Sequence, residues 1–474
     1  MHDDTLPARS EPVADHRDLG RDLRIFASSP LVGPGLPLWL PAGAAVRYEL
    51  EQYAREVALR TGCEPVYSPV LGKRSLFERS GHWAKFADDM FPPLYVEGPG
   101  ADPGPGGPSE PGPDGGPAPA GASHVEAADV DPLVLRPANC PHHAQIYASE
   151  PRSYRDLPVR YSELAPMFRA ERSGVLSGLS RVRQINLDDA HVFCRPDQVG
   201  VEVRTALDAI LEVLATLGID VSYLRLSGRD ASDKWLGAPE RWADAERVLA
   251  EVLDAVLDAA PDAVPTGAPW RAEPGEAAFY GPKIDVQVLD AGGHEETLAT
   301  VQLDFNQPER FDLTYVAASG ERERVVMIHR GTVGAMERMV AFLLERHRGR
   351  LPFWLAPVQV CLLPVTGPRP GADDGGGADG GEHDVDGEVD RLAAALRSRG
   401  VRVRVERDGS LGNRIRLARH RRDALLGVLG PREAEAGEVA VTDPGSGAKA
   451  SVPLAELADR LAEAAKNRVP RVPF

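Results

Sequence analysis

The stretch VVMIHRGTVGAMER, Val325–Arg338, constrains the fold more than any other part of the sequence. Its consecutive apolar residues Val325–Ile328 are typical of a strand that is covered on both faces. Gly331 and Gly334 then predict a turn that leads into an amphipathic helix. An arginine beyond such a turn, here Arg338, is able to pair with a phosphate or stack on a base. Because one glycine-rich turn is a weak signal, a strand–turn–helix with a surface arginine is the favoured interpretation of this stretch alone.

The chain of 474 residues is too long for one hydrophobic core, so at least two domains are expected. Residues 1–17 are polar and acidic, which predicts a disordered leader and not a signal peptide. Residues 18–354 contain strands and helices without a βαβ rhythm, which favours an α+β domain around an antiparallel sheet over a doubly wound fold. Residues 355–474 alternate strand and helix, which predicts a small α/β domain.

Two low-complexity segments interrupt these domains at residues 97–126 and 367–389. Both have too few large apolar residues to fold alone, and each follows a predicted strand. We therefore expect both segments to be disordered insertions in loops. For residues 97–126, a linker between two domains is the alternative interpretation.

Composition limits the classes of partner. No window approaches 18 apolar residues, so neither a transmembrane span nor a membrane partner is expected. The four cysteines lie far apart in no disulfide spacing, which favours the reducing cytoplasm. With a net charge of −17, binding to a nucleic acid would need a local basic patch.

Several polar residues at predicted strand ends are candidates for binding. The segment FRAERSG has Arg169 and Glu171 on one face of a strand, where they could clamp a phosphate and accept from an amine. Alternating surface charge is the commoner meaning of such a pattern. Asp188 and Asp189 could hold an ammonium group or be solvated acids of a turn.

A metal site is a further candidate. Cys140, His191 and His329 offer one thiolate and two imidazoles, a ligand set that zinc accepts with a fourth position open for substrate. Their wide separation in sequence means that spacing alone does not require this site. A local alternative is Cys140 with His142 or His143.

Eight stretches, taken in order, resemble the catalytic core of the threonyl-tRNA synthetases, a family of class II aminoacyl-tRNA synthetases. They are LRPANCPHH, SYRDLPVRYSEL, FRAERSG, LSRVR, LDDAHVFC, EAAFYGPKID, TVQLDFNQPERF and VMIHRGTVGAMER. The resemblance runs from about Asp15 to the C-terminus, and residues 355–474 resemble the anticodon-binding domain of that family. It implies a class II antiparallel sheet flanked by helices. The region before Asp15 is too short for the N-terminal and editing domains of the family, so we expect a short form without them.

The resemblance implies an activity and its ligands. The expected reaction is activation of L-threonine with ATP and Mg²⁺, followed by transfer to tRNA(Thr), in a cytoplasmic homodimer with one Zn²⁺ per subunit. Pro69 would belong to the motif at the dimer interface. The catalytic residues would be Arg169, Lys283 and Arg338. ATP would be bound by Arg169, Glu171, Arg181, Gln302 and Arg338. Threonine would be bound by Asp189, Tyr280 and Gln302, and the metal by Cys140, His191 and His329.

Five positions depart from the family, and all are expected to change substrate affinity or inhibitor sensitivity without abolishing chemistry. They are Ala138, His142, Ile185, Leu187 and Ala335. In the family these positions usually hold methionine, glycine, an aromatic residue, glutamine and serine.

Binding of tRNA is expected at a basic cluster in the C-terminal domain, although a solvated helix face is the alternative. The cluster comprises Arg414, Arg416, Arg419, Arg421 and Arg422. The segment TDPGSG replaces the basic loop of the family, which puts anticodon discrimination in doubt. A paralogue that makes an aminoacyl-adenylate for another acceptor, or a non-catalytic RNA-binding relative, therefore stays open.

Overall fold

The computed structural model describes residues 14–95, 131–259, 270–365 and 384–474. In the larger domain the helices are α1 (His16–Asp22), α2 (Pro41–Arg60), α3 (Arg74–Ser80), α4 (His82–Phe86), α5 (Cys140–Ala148), α6 (Val199–Thr216), α7 (Pro239–Ala259), α8 (Asn306–Arg310) and α9 (Met336–Arg346). The strands are β1 (Phe26–Ala27), β2 (Leu38–Trp39), β3 (Glu64–Pro65), β4 (Leu71–Lys73), β5 (Leu133–Leu135), β6 (Val159–Phe168), β7 (Gln184–Cys194), β8 (Val221–Gly228), β9 (Arg271–Pro274), β10 (Lys283–Leu289), β11 (Glu295–Asp304), β12 (Thr314–Val316), β13 (Arg322–Arg324) and β14 (Val326–Gly331). None of the helices in the described ranges combines the length and apolar composition needed to cross a membrane.

The larger domain is organised around an eight-stranded sheet in the order β3-β6-β7-β14-β11-β10-β8-β9. Every pair from β6 through to β8 is antiparallel, which confirms the predicted α+β class. Only the edge pairs β3–β6 and β8–β9 are parallel. Helices α2, α6, α7 and α9 share one hydrophobic core with one face of this sheet.

Strand β14 shows how the sequence divides between the two faces of the sheet. Val326 and Ile328 lie in the helix-covered core, whereas Met327 packs in a separate cluster with Tyr147 and Phe193. Both faces are therefore buried, as the apolar run predicts. The alternation continues to His329, which lies on the same face as Met327.

The smaller domain has a five-stranded sheet in the order β16-β15-β17-β18-β19, in which β15 is parallel to both its neighbours and the other pairs are antiparallel. Its strands are β15 (Val360–Pro364), β16 (Val403–Val405), β17 (Leu425–Leu429), β18 (Glu438–Thr442) and β19 (Lys449–Pro453). Its helices are α10 (Val385–Ser398), α11 (Leu411–His420), α12 (Pro431–Ala436) and α13 (Leu454–Lys466). The sequence did not predict α12 or β19. The segment TDPGSG lies in the turn between β18 and β19.

Two boundaries differ from those predicted. Helix α1 begins at His16, and Asp15 caps it by accepting from the backbone N–H of Arg17, so residues 14–17 are not a disordered leader. Asp384 caps α10, so residues 384–389 do not belong to the second low-complexity segment. In both places a capping aspartate extends a helix into polar sequence. The first insertion, 97–126, and the remainder of the second lie outside the described residues.

Candidate active site

A cavity of about 370 Å³ opens on the face of the large sheet opposite the helix-covered core. Its walls come from β7, β11 and β14 and from the start of α5 and α9. It brings together residues from most of the stretches quoted above. The predicted site residues that line this cavity are Cys140, Arg169, Asp189, His191, Tyr280, Gln302, His329 and Arg338.

Strand register creates one end of this cavity. Gln302 on β11 is paired with His329 on β14, which is in turn paired with His191 on β7. Residues directly opposite on antiparallel strands project from the same face, so these three side chains stand in a row across the sheet. Cys140, the first residue of α5, approaches the same row.

The predicted metal-donor residues meet at this end. The ligand atoms of Cys140, His191 and His329 all lie within 4.8 Å of one another, and all three residues are buried. His191 Nε2 and His329 Nδ1 are 2.8 Å apart. One sulfur and two imidazole nitrogens in a cavity wall fit a zinc site with an open position.

Each donor residue is also held from behind. Gln307 Nε2 donates to Cys140 Sγ over 3.0 Å. His329 Nε2 lies 2.9 Å from Asp304 Oδ2. Burial raises the pKa of the Cys140 thiol, as do the nearby carboxylates, and burial lowers the pKa of His191. A bound cation would favour the thiolate and leave the imidazole neutral, which is the state that metal ligands adopt.

Asp188 and Asp189 have different surroundings because they point to opposite faces of β7. Asp189 lines the cavity, and burial beside Asp188 raises its pKa. Asp188 Oδ2 accepts from Thr332 N at 2.8 Å, Thr332 Oγ1 at 2.5 Å and Val333 N at 3.0 Å. Asp188 is therefore neither an ammonium ligand nor a solvated acid, because it holds the turn between β14 and α9.

That turn needs its glycines. Gly334 has a φ of +73°, and a Cβ there would lie 2.8 Å from the carbonyl oxygen of Leu298. A Cβ at Gly331 would lie 2.8 Å from the carbonyl oxygen of Asp188. The glycines therefore allow the close approach of backbone that the sequence predicts, and α9 carries Arg338 back to the cavity.

The other end of the cavity is basic. Arg169 and Arg338 line it, and Arg338 also lines an adjoining cavity of about 640 Å³ that contains Arg181. Desolvation by the surrounding cavity walls, together with the charge of Arg338, lowers the pKa of Arg169, although its side chain still reaches solvent through the cavity. Glu171 Oε2 accepts from Arg181 Nε at 3.0 Å and Nη2 at 2.8 Å. Arginines around a cleft suit a polyanion such as a nucleotide.

The remaining predicted residues divide into two groups. Tyr280 Oη donates to Gln302 Oε1 over 2.5 Å, so both belong to the cavity wall. Lys283 does not line the cavity, although it is paired in register with Gln302. Its Nζ lies 2.9 and 2.8 Å from the two oxygens of the fully buried Asp285, whose charge it helps to balance.

Four of the five departures from the family, Ala138, Ile185, Leu187 and Ala335, line the cavity as the resemblance implies. His142 does not line the cavity, because its side chain is buried against Phe77 and lies 3.4 Å from the carbonyl oxygen of Leu71, so its effect on substrate affinity stays a prediction.

Two further histidines lie close to the metal-donor cluster. His82 is buried in the wall, with Nε2 3.8 Å from Cys140 Sγ, and burial lowers its pKa to about 4. No spacing pattern marked it. His143, the alternative metal ligand, lies behind His191, with the two Nδ1 atoms 2.8 Å apart.

The basic cluster of the smaller domain is only partly on the surface. Arg414 is buried and donates through Nη1 to the carbonyl oxygens of Pro364 and Glu406, each at 2.8 Å, so it cannot form part of a tRNA-binding surface. Arg421 pairs with the Glu406 carboxylate at 2.8 Å. Arg416 and Arg419 are exposed, and Arg422 is half-buried in a cleft between the domains.

Comparison with known proteins follows the same division into domains. Residues 124–347 match the tRNA synthetase class II core domain (G, H, P, S and T), and residues 359–464 match an anticodon binding domain. A crystal structure of the RNA binding domain of threonyl-tRNA synthetase from Cryptosporidium parvum is 30% identical, with a TM-score of 0.78. The match covers 97% of this chain and 99% of that one. The chain belongs to the threonyl-tRNA synthetase family.

Curated relatives from the threonyl-tRNA synthetase family are longer. Threonine–tRNA ligase 1 of Bacillus subtilis is 41% identical over 456 residues, which are 96% of this chain and 62% of the relative. The threonine–tRNA ligase of Geobacillus kaustophilus is 41% identical over 461 residues, again 62% of its length. This member of the threonyl-tRNA synthetase family thus spans less than two thirds of those relatives.

Proposed function

We propose that the protein is a threonine–tRNA ligase that converts L-threonine and ATP to threonyl-adenylate and transfers threonine to the 3′ end of tRNA(Thr). One observation carries the proposal, namely a single cavity with a metal-donor cluster at one end and Arg169 and Arg338 at the other. An amino acid and a nucleotide bound at these ends would bring carboxylate and α-phosphate together. The similarity to the B. subtilis threonine–tRNA ligase supports threonine and tRNA as substrates.

The arginines would perform the chemistry of activation. When the threonine carboxylate attacks the α-phosphate of ATP and pyrophosphate leaves, Arg169 and Arg338 would neutralise the developing charge. Glu171 would accept from the adenine amino group, and Arg181 would exchange its bond with Glu171 for one with a phosphate. Mg²⁺ would accompany ATP and balance the charge of its phosphates during this adenylyl transfer.

Cys140, His191 and His329 would hold Zn²⁺, with Asp189 and Tyr280 beside it. When bound, Zn²⁺ would supply a Lewis acid that recognises the amine and hydroxyl of threonine and rejects valine, which has no hydroxyl. Serine carries the same two groups and would be activated as well. The carboxylate of Asp189 would orient the amino acid.

We also propose a homodimer that works in the cytoplasm, where tRNA is charged. Strand β3 is an edge of the large sheet, and beside it Tyr67 is 86% exposed and Leu59 is 59% exposed. Pro69 lies in the same loop. Exposed apolar side chains at a sheet edge favour pairing with a second copy. Light scattering should give twice the chain mass, and Tyr67→Asp should reduce it.

Threonine-dependent exchange of labelled pyrophosphate into ATP tests activation. We expect exchange with threonine, weaker exchange with serine and none with valine. No exchange with any amino acid would refute the ligase and leave a non-catalytic RNA-binding protein. Charging of purified tRNA(Thr) then tests the second step.

A second candidate is an enzyme that transfers the adenylate to a different acceptor. The turn at residues 442–447 favours it, because Asp443 accepts there from Gly445 N at 2.7 Å and Ser446 Oγ at 2.7 Å, where the family has a basic loop. The hydrogen bonds from Arg414 to backbone carbonyl groups inside the domain also favour this candidate. Exchange without charging of tRNA(Thr) would select this candidate over the first.

A further inference from the structure

Directly behind His191 stands a histidine outside the metal-donor cluster. His143 is fully buried on α5, and its Nδ1 lies 2.8 Å from His191 Nδ1. We propose that His143 is a positioning residue that accepts from His191 Nδ1 when His191 Nε2 binds a metal ion. This inference rests on the proposed metal centre, and it concerns the affinity of that centre.

The direction of the hydrogen bond between the two rings decides whether His191 is a ligand. If His143 donates, His191 Nδ1 accepts, and its ring proton lies on Nε2, which then has no lone pair for a cation. If His191 donates, its Nε2 is free towards His329 and Cys140. That second arrangement requires the proton of His143 to lie on Nε2.

Glu163 provides the acceptor for that proton. His143 Nε2 lies 3.3 Å from Glu163 Oε2 and 2.9 Å from Asn139 Nδ2. The amide of Asn139 is a donor at this position, because its oxygen accepts from Arg136 Nη1 at 2.8 Å. The amide N–H is the closer partner and by itself favours the opposite tautomer. Binding of a metal ion at His191 Nε2 would therefore require Asn139 Nδ2 to donate to Glu163 Oε2, 3.2 Å away, and leave that carboxylate to accept from His143 Nε2.

The carboxylate is itself held in place. Ser68 Oγ donates to Glu163 Oε2 over 2.7 Å, Asn139 Nδ2 donates to the same oxygen over 3.2 Å, and Arg136 Nη2 lies 3.3 Å from Oε1. Arg136 and Asn139 are fully buried. A fixed, desolvated carboxylate maintains its bond to His143 without competition from water.

His329 has a more direct version of the same arrangement. Its Nε2 lies 2.9 Å from Asp304 Oδ2, which leaves Nδ1 facing His191 Nε2. Asp304 is fully buried and its other oxygen accepts from Asn306 N and Gln307 N at 2.8 and 2.9 Å. Both imidazole ligands are thus oriented by a carboxylate, which acts on His329 directly and on His191 through His143.

Metal binding to the full chain tests the proposal without reference to activity. Zn²⁺ affinity would be measured by competition with a chelator, and Co²⁺ binding by its visible ligand-field spectrum. His143→Leu should weaken Zn²⁺ binding about 10–100-fold, as is typical for residues that orient a metal ligand, and should alter the Co²⁺ spectrum. His143→Asn, whose amide oxygen is able to accept from His191 Nδ1, should recover most of the affinity.

The matched control is His142→Gln, which changes the neighbouring buried histidine and should leave metal binding unchanged. Should His143→Leu fail to fold, the isosteric Glu163→Gln tests the same step, because it replaces the charged acceptor of His143 with a weaker, neutral amide oxygen and should also weaken binding, by less than His143→Leu. If either His143→Leu or Glu163→Gln bound Zn²⁺ as tightly as His142→Gln, the role of His143 would be overturned and the metal centre itself would stand. If the unaltered chain binds neither Zn²⁺ nor Co²⁺, the metal centre itself is refuted, and the inference with it.

Discussion

The two ends of the cavity are built differently. At the metal-donor end, Cys140, His191 and His329 are buried and hydrogen-bonded to Gln307, His143 and Asp304, respectively. At the basic end, Arg169 and Arg338 are exposed, and their guanidinium groups make no hydrogen bond to any residue in the described part of the chain.

Solvation explains the difference. A buried polar atom without a hydrogen-bond partner costs free energy, so the metal-donor residues have to be hydrogen-bonded before any ligand binds. Exposed guanidinium groups are satisfied by water until a phosphate replaces it. We infer that the amino-acid end is preorganised, whereas the nucleotide end is completed by its substrate, with exchange of the Arg181–Glu171 pair as the main rearrangement.

Removing a metal donor should have the largest effect. Cys140→Ala deletes the thiolate, so both bound zinc and threonine-dependent exchange should fall by more than the roughly 100-fold typical of residues behind a ligand. Elemental analysis of the purified protein and the exchange assay measure the two quantities. Cys361→Ala, a buried cysteine of the smaller domain, is the control. Full exchange by metal-free Cys140→Ala would contradict a preorganised metal end.

The second-largest effect is expected from the loss of a group that stabilises the charge developing at the α-phosphate. Arg169→Gln should lower kcat for exchange by about 10²–10³-fold, the usual effect of removing one such donor. Its zinc content should stay unchanged, because it lies at the opposite end of the cavity. The nearby exposed Arg172→Gln is the control. A simultaneous loss of zinc would show that the two ends are not independent.

A smaller effect is expected at the residue that has to rearrange. Arg181→Ala removes a charge-assisted bond of about 1.5–3 kcal/mol to a phosphate, which corresponds to a roughly 10–100-fold higher KM for ATP. The KM for threonine should not change. If the KM for ATP were unchanged, the Arg181–Glu171 pair would be a static feature of the fold.

The smallest effect concerns Ile185, which lines the cavity where the family has an aromatic residue. Ile185→Phe would add a ring able to stack on adenine, an interaction of about 0.5–1.5 kcal/mol. The KM for ATP should therefore fall a few-fold, with metal content as the control. An increase would mean that the ring is too large for this cavity.

Much of the fold followed from local pattern. Helix α2, Pro41–Arg60, is an example, because its apolar residues recur at helical spacing and Val46, Leu50 and Val57 are buried. The short strand β19 and helix α12 were missed, since neither contains enough residues to show a period.

The site residues were identified from their resemblance to a family, and local pattern alone left them ambiguous. Asp188 and Asp189 are the same residue type at adjacent positions, yet strand alternation sends one to the turn and the other to the cavity. Arg414 has the same chemistry as the exposed Arg416. Its place on the buried side of α11, however, lets it donate to backbone carbonyl groups inside the domain.

The sequence by itself determined which side chains with metal-binding and phosphate-binding chemistry are present and which strands and helices carry them. Tertiary structure decided which of them meet. Gln302, His329 and His191 are neighbours only because the register of three strands aligns them, and His143 is a partner of His191 because α5 packs against that row. Register and packing depend on contacts between residues far apart in sequence, 138 positions for His191 and His329, which no local periodicity encodes.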